Sequence, residues 1–235
     1  MKTCFQMILF TIFFISCSKV ENGLDVSVTG YVRLFGEKGS EIFNRQDVRV
    51  SEKGTSIETF TDENGKYLIA ELRAGNRYNF EFSKDSFGTK KINDIQFIGE
   101  GKPGLLNTIS LYGIPSYELV SATLTYESSR IRVSGITTEA DNYKLTAYIN
   151  DNSNVSDTHY DSYTDYSLMP IGRKFTSLNF FINLYDVNYA PGTTVYIAIY
   201  FYNYYEPEYS YYEPDLKAIR LSSGKKASMI LLITI

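Results

Sequence analysis

From Leu24 to Ile114 apolar and polar positions alternate in short runs, and turn residues recur at roughly 8 to 12 residue intervals. Val26 and Val28, Val48 and Val50, Tyr67 and Ile69, and Tyr78, Phe80 and Phe82 each skip one position, the period of half-buried strands. No long helical period interrupts them. Thr61-Asp62-Glu63-Asn64-Gly65-Lys66-Tyr67 supplies short acceptor side chains and a glycine for positive φ, which predicts a hairpin connection. A calcium loop needs more oxygen ligands at fixed offsets than this run offers.

The same period continues beyond Gly113-Ile114-Pro115, where the proline lacks a donor and interrupts pairing. Val120-Ala122-Leu124-Tyr126, Ile131-Val133, Leu145-Ala147-Ile149, Phe180-Ile182-Leu184 and Ile219-Leu221 predict further strands. Between Thr194 and Asn203, Val195, Ile197, Ile199 and Phe201 point one way, toward the core. Tyr196, Ala198, Tyr200 and Tyr202 point the other. The tail from Met229 to Ile235 is one more apolar strand, expected to be paired because a bare edge of that composition aggregates. The fold class expected is all-β, with two consecutive antiparallel β-sandwiches at residues 24–114 and 115–235.

The amino terminus reads as an address. Lys2 precedes an apolar run, Phe5 to Ile15, too short to span about 30 Å of hydrocarbon as a helix. Ile15-Ser16-Cys17 then resembles the bacterial lipobox. That resemblance implies a lipoprotein signal peptide at residues 1–16, cleavage before Cys17, and acylation of that residue by chains such as palmitate. Each buried CH₂ then contributes about 0.8 kcal/mol to anchoring. Residues 17–23 form a polar tether. Cys4 leaves with the signal and Cys17 carries lipid, so the mature chain has no disulfide and depends on core burial.

Composition narrows the function. The 235 residues carry 23 Lys+Arg against 27 Asp+Glu, a net charge of −4, whereas a nucleic-acid binder carries a basic excess. No nucleic-acid partner is expected. Of the 21 tyrosines, 18 lie from Tyr112 onward, so the two halves differ in surface chemistry.

Two further resemblances concern the halves themselves. Gly30-Tyr31-Val32, Val48-Arg49-Val50, the Thr61–Tyr67 run with its Asp-x-Asn-Gly core, Leu72, Gly75, Tyr78 and Phe80-Glu81-Phe82 together resemble a carboxypeptidase regulatory-like domain over about residues 26 to 112. This implies a transthyretin-like sandwich without catalytic residues, acting as a folding, spacing or docking module. The run from Ala190-Pro191-Gly192-Thr193 through Asn203 resembles the loop and F strand of a fibronectin type III module, although the usual early-strand tryptophan is absent.

Little here can do chemistry. His159, the sole histidine, lies in a polar stretch from Asp151 to Asp161 that reads as a long loop, and zinc sites need several His or Cys at close spacing. Asp151, Asp157, Asp161 and Asp165 lack the order that pre-forms a calcium cage. Nothing marks a carboxylate pair of the glycosidase kind. No enzyme activity, metal or cofactor is expected.

The candidate ligand-binding residues are Tyr200, Tyr202, Tyr204, Tyr205, Tyr209, Tyr211 and Tyr212, which fall within 13 residues. Tyrosine offers large, rigid contact area at low entropic cost; the competing role is outer-face cover by cross-strand pairs. The function expected is a non-catalytic, lipid-anchored binding protein of the outer membrane, whose distal Tyr-rich domain projects from the membrane and captures a glycan or protein. The alternative is a structural accessory that docks on an outer-membrane transport or surface assembly.

Overall fold

A computed structural model describes residues 25–97, 104–140, 143–168, 175–185, 187–207, 211–213, 218–220 and 224–235. Every regular element among these residues is a β-strand, as period-two alternation predicts. The signal peptide, Cys17 and the tether lie outside the described residues, as does Tyr209. No helix of the described residues is long and apolar enough to cross a membrane.

The first nine strands are β1 (Asp25–Phe35), β2 (Glu41–Ile42), β3 (Arg49–Glu52), β4 (Glu58–Phe60), β5 (Lys66–Arg73), β6 (Arg77–Ser83), β7 (Lys90–Gln96), β8 (Gly104–Leu105) and β9 (Ile109–Tyr112). One sheet gathers β2, β5, β8 and β9 around β1, and the other runs β4-β3-β6-β7. Their facing sides bury Val28, Val32 and Leu34 against Val50, Phe80 and Phe82, with Tyr67, Ile69, Leu72 and Leu111 closing the core. Two pairings depart from the antiparallel rule: β8 and β9 lie parallel to β1. A parallel neighbour needs a crossover rather than a hairpin, and here the chain crosses to the second sheet and back before β8.

The turn at Asp62–Gly65 forms as the sequence predicts, with Asp62 Oδ1 accepting from the amides of Asn64 and Lys66, each at 2.9 Å. It is nevertheless not a hairpin. β4 pairs with β3 while β5 pairs with β1, so the turn carries the chain from one sheet to the other. Gly65, at φ +80°, passes so close to β1 that a Cβ there would collide with the carbonyl oxygen of Val32. The Val32 amide donates to the Gly65 carbonyl at 2.8 Å, which extends the β1–β5 ladder and pins this corner to β1.

The second half contains β10 (Leu119–Glu127), β11 (Arg130–Ala140), β12 (Tyr143–Asn150), β13 (Ser162–Leu168), β14 (Phe175–Asn183), β15 (Thr194–Tyr202), β16 (Tyr211–Glu213), β17 (Ala218–Arg220) and β18 (Lys225–Thr234). Sheets β10-β11-β14 and β13-β12-β15-β18 face each other. Ile131, Val133, Leu178, Phe180 and Ile182 meet Leu145, Ile149, Val195, Ile197, Ile199 and Phe201 between them. Val195, Ile197, Ile199 and Phe201 thus face the core as the alternation predicts, and the carboxyl-terminal strand pairs along β15. β16 and β17 pair only with each other, and β16 lies beside β7 of the first sandwich.

The apolar side chains divide into one cluster ending at Leu111 and another beginning at Tyr117. Between them the halves are hydrogen-bonded together. Asn203, only 1% exposed, donates from Nδ2 to the carbonyls of Gly113 at 2.9 Å and Gly36 at 3.3 Å. Glu37 accepts from the amide and hydroxyl of Ser116 at 2.8 and 3.0 Å.

Candidate functional site

Strand β15 decides where the tyrosines go. Its core-facing positions are aliphatic, so Tyr196, Ala198, Tyr200 and Tyr202 stand on the outer face of the β13-β12-β15-β18 sheet. Sequence reading placed these rings on an open surface, and the structure corrects that for two of them. Tyr200 is 9% exposed and Tyr202 is 3% exposed. The connection from β12 to β13 folds back over the sheet and lays Val155 on Ala198, Tyr200 and Tyr202, making a second small core. Lys226 Nζ holds the connection by donating to the Val155 carbonyl at 2.9 Å.

Tyr148 of β12 sits at the centre of this layer. Its ring meets Tyr200 edge to face at 5.4 Å, and its hydroxyl lies 3.2 Å from that of Tyr202. Burial first, and then the adjacent Asp157 carboxylate, push the Tyr200 phenol up to about 12.

Beyond Tyr200 and Tyr202, the described part of the Tyr-rich segment turns toward the first sandwich. The expected distal projection is therefore corrected: β15 runs toward that half and delivers Asn203 and the following turn to the junction. A Cβ on Gly39, at φ +74°, would fall into the Tyr205 ring, so that ring rests on the β1–β2 turn. Tyr204 is half-buried and stands edge to face with Tyr205 at 5.5 Å. Glu206 is buried and its charge acts on both Lys90 and Tyr112 across the junction. Burial lowers the Lys90 ammonium, and Glu206 opposes that shift. Tyr211 and Tyr212 lie in β16, in register with Arg220 and Ile219.

The open part of the outer face lies on β13 instead. Tyr163 pairs with Tyr148 in register and is 53% exposed, and half-buried Tyr160 stands edge to face with it at 5.7 Å. Two carboxylates border these rings. Asp161 accepts from the Tyr189 hydroxyl at 2.7 Å and from Asn150 Nδ2 at 3.2 Å, and Asp165 accepts from the Thr146 hydroxyl at 2.5 Å. The Tyr189 phenol is raised by burial first and then by its bond to Asp161. Two perpendicular phenol rings, carboxylates with spare lone pairs and a flat sheet beneath can stack and hydrogen-bond a polyhydroxylated ligand.

Tyr148, Tyr160, Tyr163 and Tyr189 were not singled out from the sequence. The alternation that assigns Leu145, Ala147 and Ile149 to the core also assigns Thr146 and Tyr148 to the opposite face. Applied to Ser162–Leu168, the same rule places Tyr163 and Asp165 beside them. His159 lies in an exposed turn whose backbone pairs with Ser156, at 3.0 and 3.3 Å. Among the described residues no group of three or more His, Cys, Asp or Glu could hold a metal ion.

No protein-family model and no curated protein matches the chain. Solved structures are similar to it, among them the following three. A candidate carbohydrate-binding protein from Bacteroides uniformis is 14% identical, over 91% of this chain and 100% of its own, with a TM-score of 0.34. A DUF3823 family protein from Parabacteroides merdae is 11% identical, over 77% of this chain and 92% of its own, with a TM-score of 0.31. A chain of a type II cohesin–X-dockerin complex from Acetivibrio cellulolyticus is 20% identical over 37% of this chain, with a TM-score of 0.31, and the protein spans 58% of that chain's length.

Proposed function

We propose that the protein is a non-catalytic, lipid-anchored binding protein of the bacterial outer membrane that captures a glycan on the outer face of its second sandwich. The observation that carries this reading is the Tyr160–Tyr163 pair: two perpendicular rings, one of them more than half exposed, fixed on a sheet between Asp161 and Asp165. An exposed ring held rigid by its neighbours stacks on the C–H face of a sugar at little entropic cost. The carboxylates then accept from the sugar hydroxyls. Tyr200 and Tyr202 buttress Tyr148 from the side, Tyr148 in turn meets both Tyr160 and Tyr163, and Tyr205 helps orient the sandwich that carries them.

The test is a panel of immobilised neutral glycans probed with the full chain and with Tyr163→Ala. Tyr163 is a surface residue, so folding is expected to change by less than about 0.5 kcal/mol. Retention is expected to fall about tenfold, a loss of about 1.4 kcal/mol. Equal retention of the two proteins would overturn the platform.

The accessory reading draws on a different place. Phe43, 78% exposed, and Phe60 and Leu68, each more than half exposed, lie on the first sandwich, the half nearest Cys17. The reading requires a partner that covers these side chains on docking. Purification of the lipidated chain from membranes with a stoichiometric partner, abolished by Phe43→Ser, is the result expected of that reading.

A further inference from the structure

The opposite face of the second sandwich carries a different chemistry. On the β10-β11-β14 sheet the core-facing positions are Ile131, Val133, Leu178, Phe180 and Ile182, so the residues between them form an outward array. Its rows follow the register: Glu127, Arg130 and Asn183; Thr125, Arg132 and Phe181; Thr123, Ser134 and Asn179. Strands about 4.8 Å apart make this a flat surface of hydroxyls, amides and two guanidinium groups.

Those two arginines are held but not neutralised. The Arg130 guanidinium lies 4.2 Å from the Phe181 ring centroid and that of Arg132 lies 5.9 Å from it. Arg132 Nε also donates to Asn179 Oδ1 at 3.1 Å. In the first sandwich, by contrast, Arg33, Arg45, Arg49 and Arg77 each meet a carboxylate. Neither Arg130 nor Arg132 forms an ion pair among the described residues, although Glu127 stands opposite Arg130 in register. A chain with a net charge of −4 thus presents two adjacent cations pre-positioned over one aromatic ring.

We infer that this face binds a carboxylate-bearing polysaccharide, with Arg130 and Arg132 gripping uronate carboxylates and the surrounding Thr, Ser and Asn side chains reading the sugar hydroxyls. The guanidinium fork matches a carboxylate in two parallel hydrogen bonds, and stacking on Phe181 removes much of the ordering cost. A duplex or single-stranded nucleic acid fits less well. The acidic body repels a long phosphate chain, whereas a flat two-cation patch needs only local complementarity. An acidic protein fits less well too, because Phe181 is occupied by the two guanidinium groups and the apolar side chains left exposed on these strands, such as Val120 and Ile136, are few beside the hydroxyls and amides, a poor centre for an interface. This site is independent of the tyrosine platform, which lies on the other sheet.

The experiment is affinity electrophoresis of the full chain through gels holding polygalacturonate, dextran or neither, with parallel sedimentation against phosphatidylglycerol vesicles. Retardation is expected in polygalacturonate alone. It should weaken about tenfold in Arg130→Ala/Arg132→Ala and substantially in Arg130→Lys/Arg132→Lys, which keeps charge but loses the fork. The arginine variants are also run in the Tyr163→Ala background, where the tyrosine platform is removed, and the same arginine-dependent loss is expected there, so failure of the tyrosine platform and failure of this site give different results. Equal mobility in polygalacturonate and dextran, full retention by the double alanine variant, or sedimentation with vesicles in place of retardation would each overturn the inference.

Discussion

Tyr200 illustrates what a single residue owes to its cover. In the sequence it is one of seven tyrosines in a polar-looking stretch; in the structure it is sealed beneath Val155 with its phenol raised to about 12. The fold holds the neutral phenol, whose folded value lies above the unfolded value near about 10. The stabilisation is therefore complete below about 10 and is lost as pH climbs toward 12. Burial shifts the phenols of Tyr67 and Tyr189 in the same direction. Alkaline titration followed by phenolate absorbance should show a late phase that coincides with loss of β circular dichroism. A single early phase with the fold intact would contradict the burial of these rings. At this scale the sequence was legible only in part: alternation told which positions share a face, but not that the eleven-residue connection from β12 to β13 would cover that face. Nothing about Val155 among Asn, Ser and Asp neighbours marks it as the residue that returns to the sheet, because a lone apolar residue has no period.

The elements were more legible than their partners. The alternation of β15 fixes its two faces within the sequence itself, and the strand forms with those faces in place. Local turn chemistry at Asp62–Gly65 was equally readable, since Asp62 bonds its own following backbone. Which strands the turn joins was not, because hairpin and sheet-to-sheet corner use the same local hydrogen bonds and differ only in distant pairing. The parallel pairing of β8 and β9 with β1 escaped for the same reason. The corner makes a sharp prediction through Gly65. Alanine there would adopt a left-handed conformation costing roughly 1–2 kcal/mol and would also strike the Val32 carbonyl. Gly65→Ala should therefore destabilise the first sandwich by about 2 kcal/mol or more, measured by urea denaturation. Gly54→Ala, at a similar φ of +85° but in open space, should cost only the conformational part. Equal costs would mean that β1 yields to the new methyl group.

At the scale of the whole molecule two predictions concern how the protein is held, first to the membrane and then to itself. The lipobox resemblance at Ile15-Ser16-Cys17 predicts that Cys17→Ser moves the protein from the membrane fraction to the soluble one; retention of the variant in membranes would refute lipid anchoring. The second prediction comes from the junction. A sandwich tethered by a few residues usually tumbles independently. Here Asn203 donates to the carbonyls of Gly36 and Gly113, Glu37 captures Ser116, and the Tyr205 ring rests on Gly39. Asn203 is almost fully buried, so removing its amide takes the donor from the buried Gly113 carbonyl, at about 1–3 kcal/mol, while the Gly36 carbonyl keeps the Gly39 amide. Backbone nitrogen relaxation should give one rotational correlation time for residues of both sandwiches in the wild-type chain. In Asn203→Ala/Glu37→Ala the two sandwiches should tumble faster and at different rates while each keeps its own amide spectrum. The same logic changes what the Tyr-rich segment means. Replacing Tyr204, Tyr205, Tyr211 and Tyr212 with serine should loosen the junction as the Asn203 variant does, because the Tyr205 ring carries part of it. Two unequal correlation times already present in the wild type would show that the halves are strung together, and would return those tyrosines to the solvent surface that their sequence suggests.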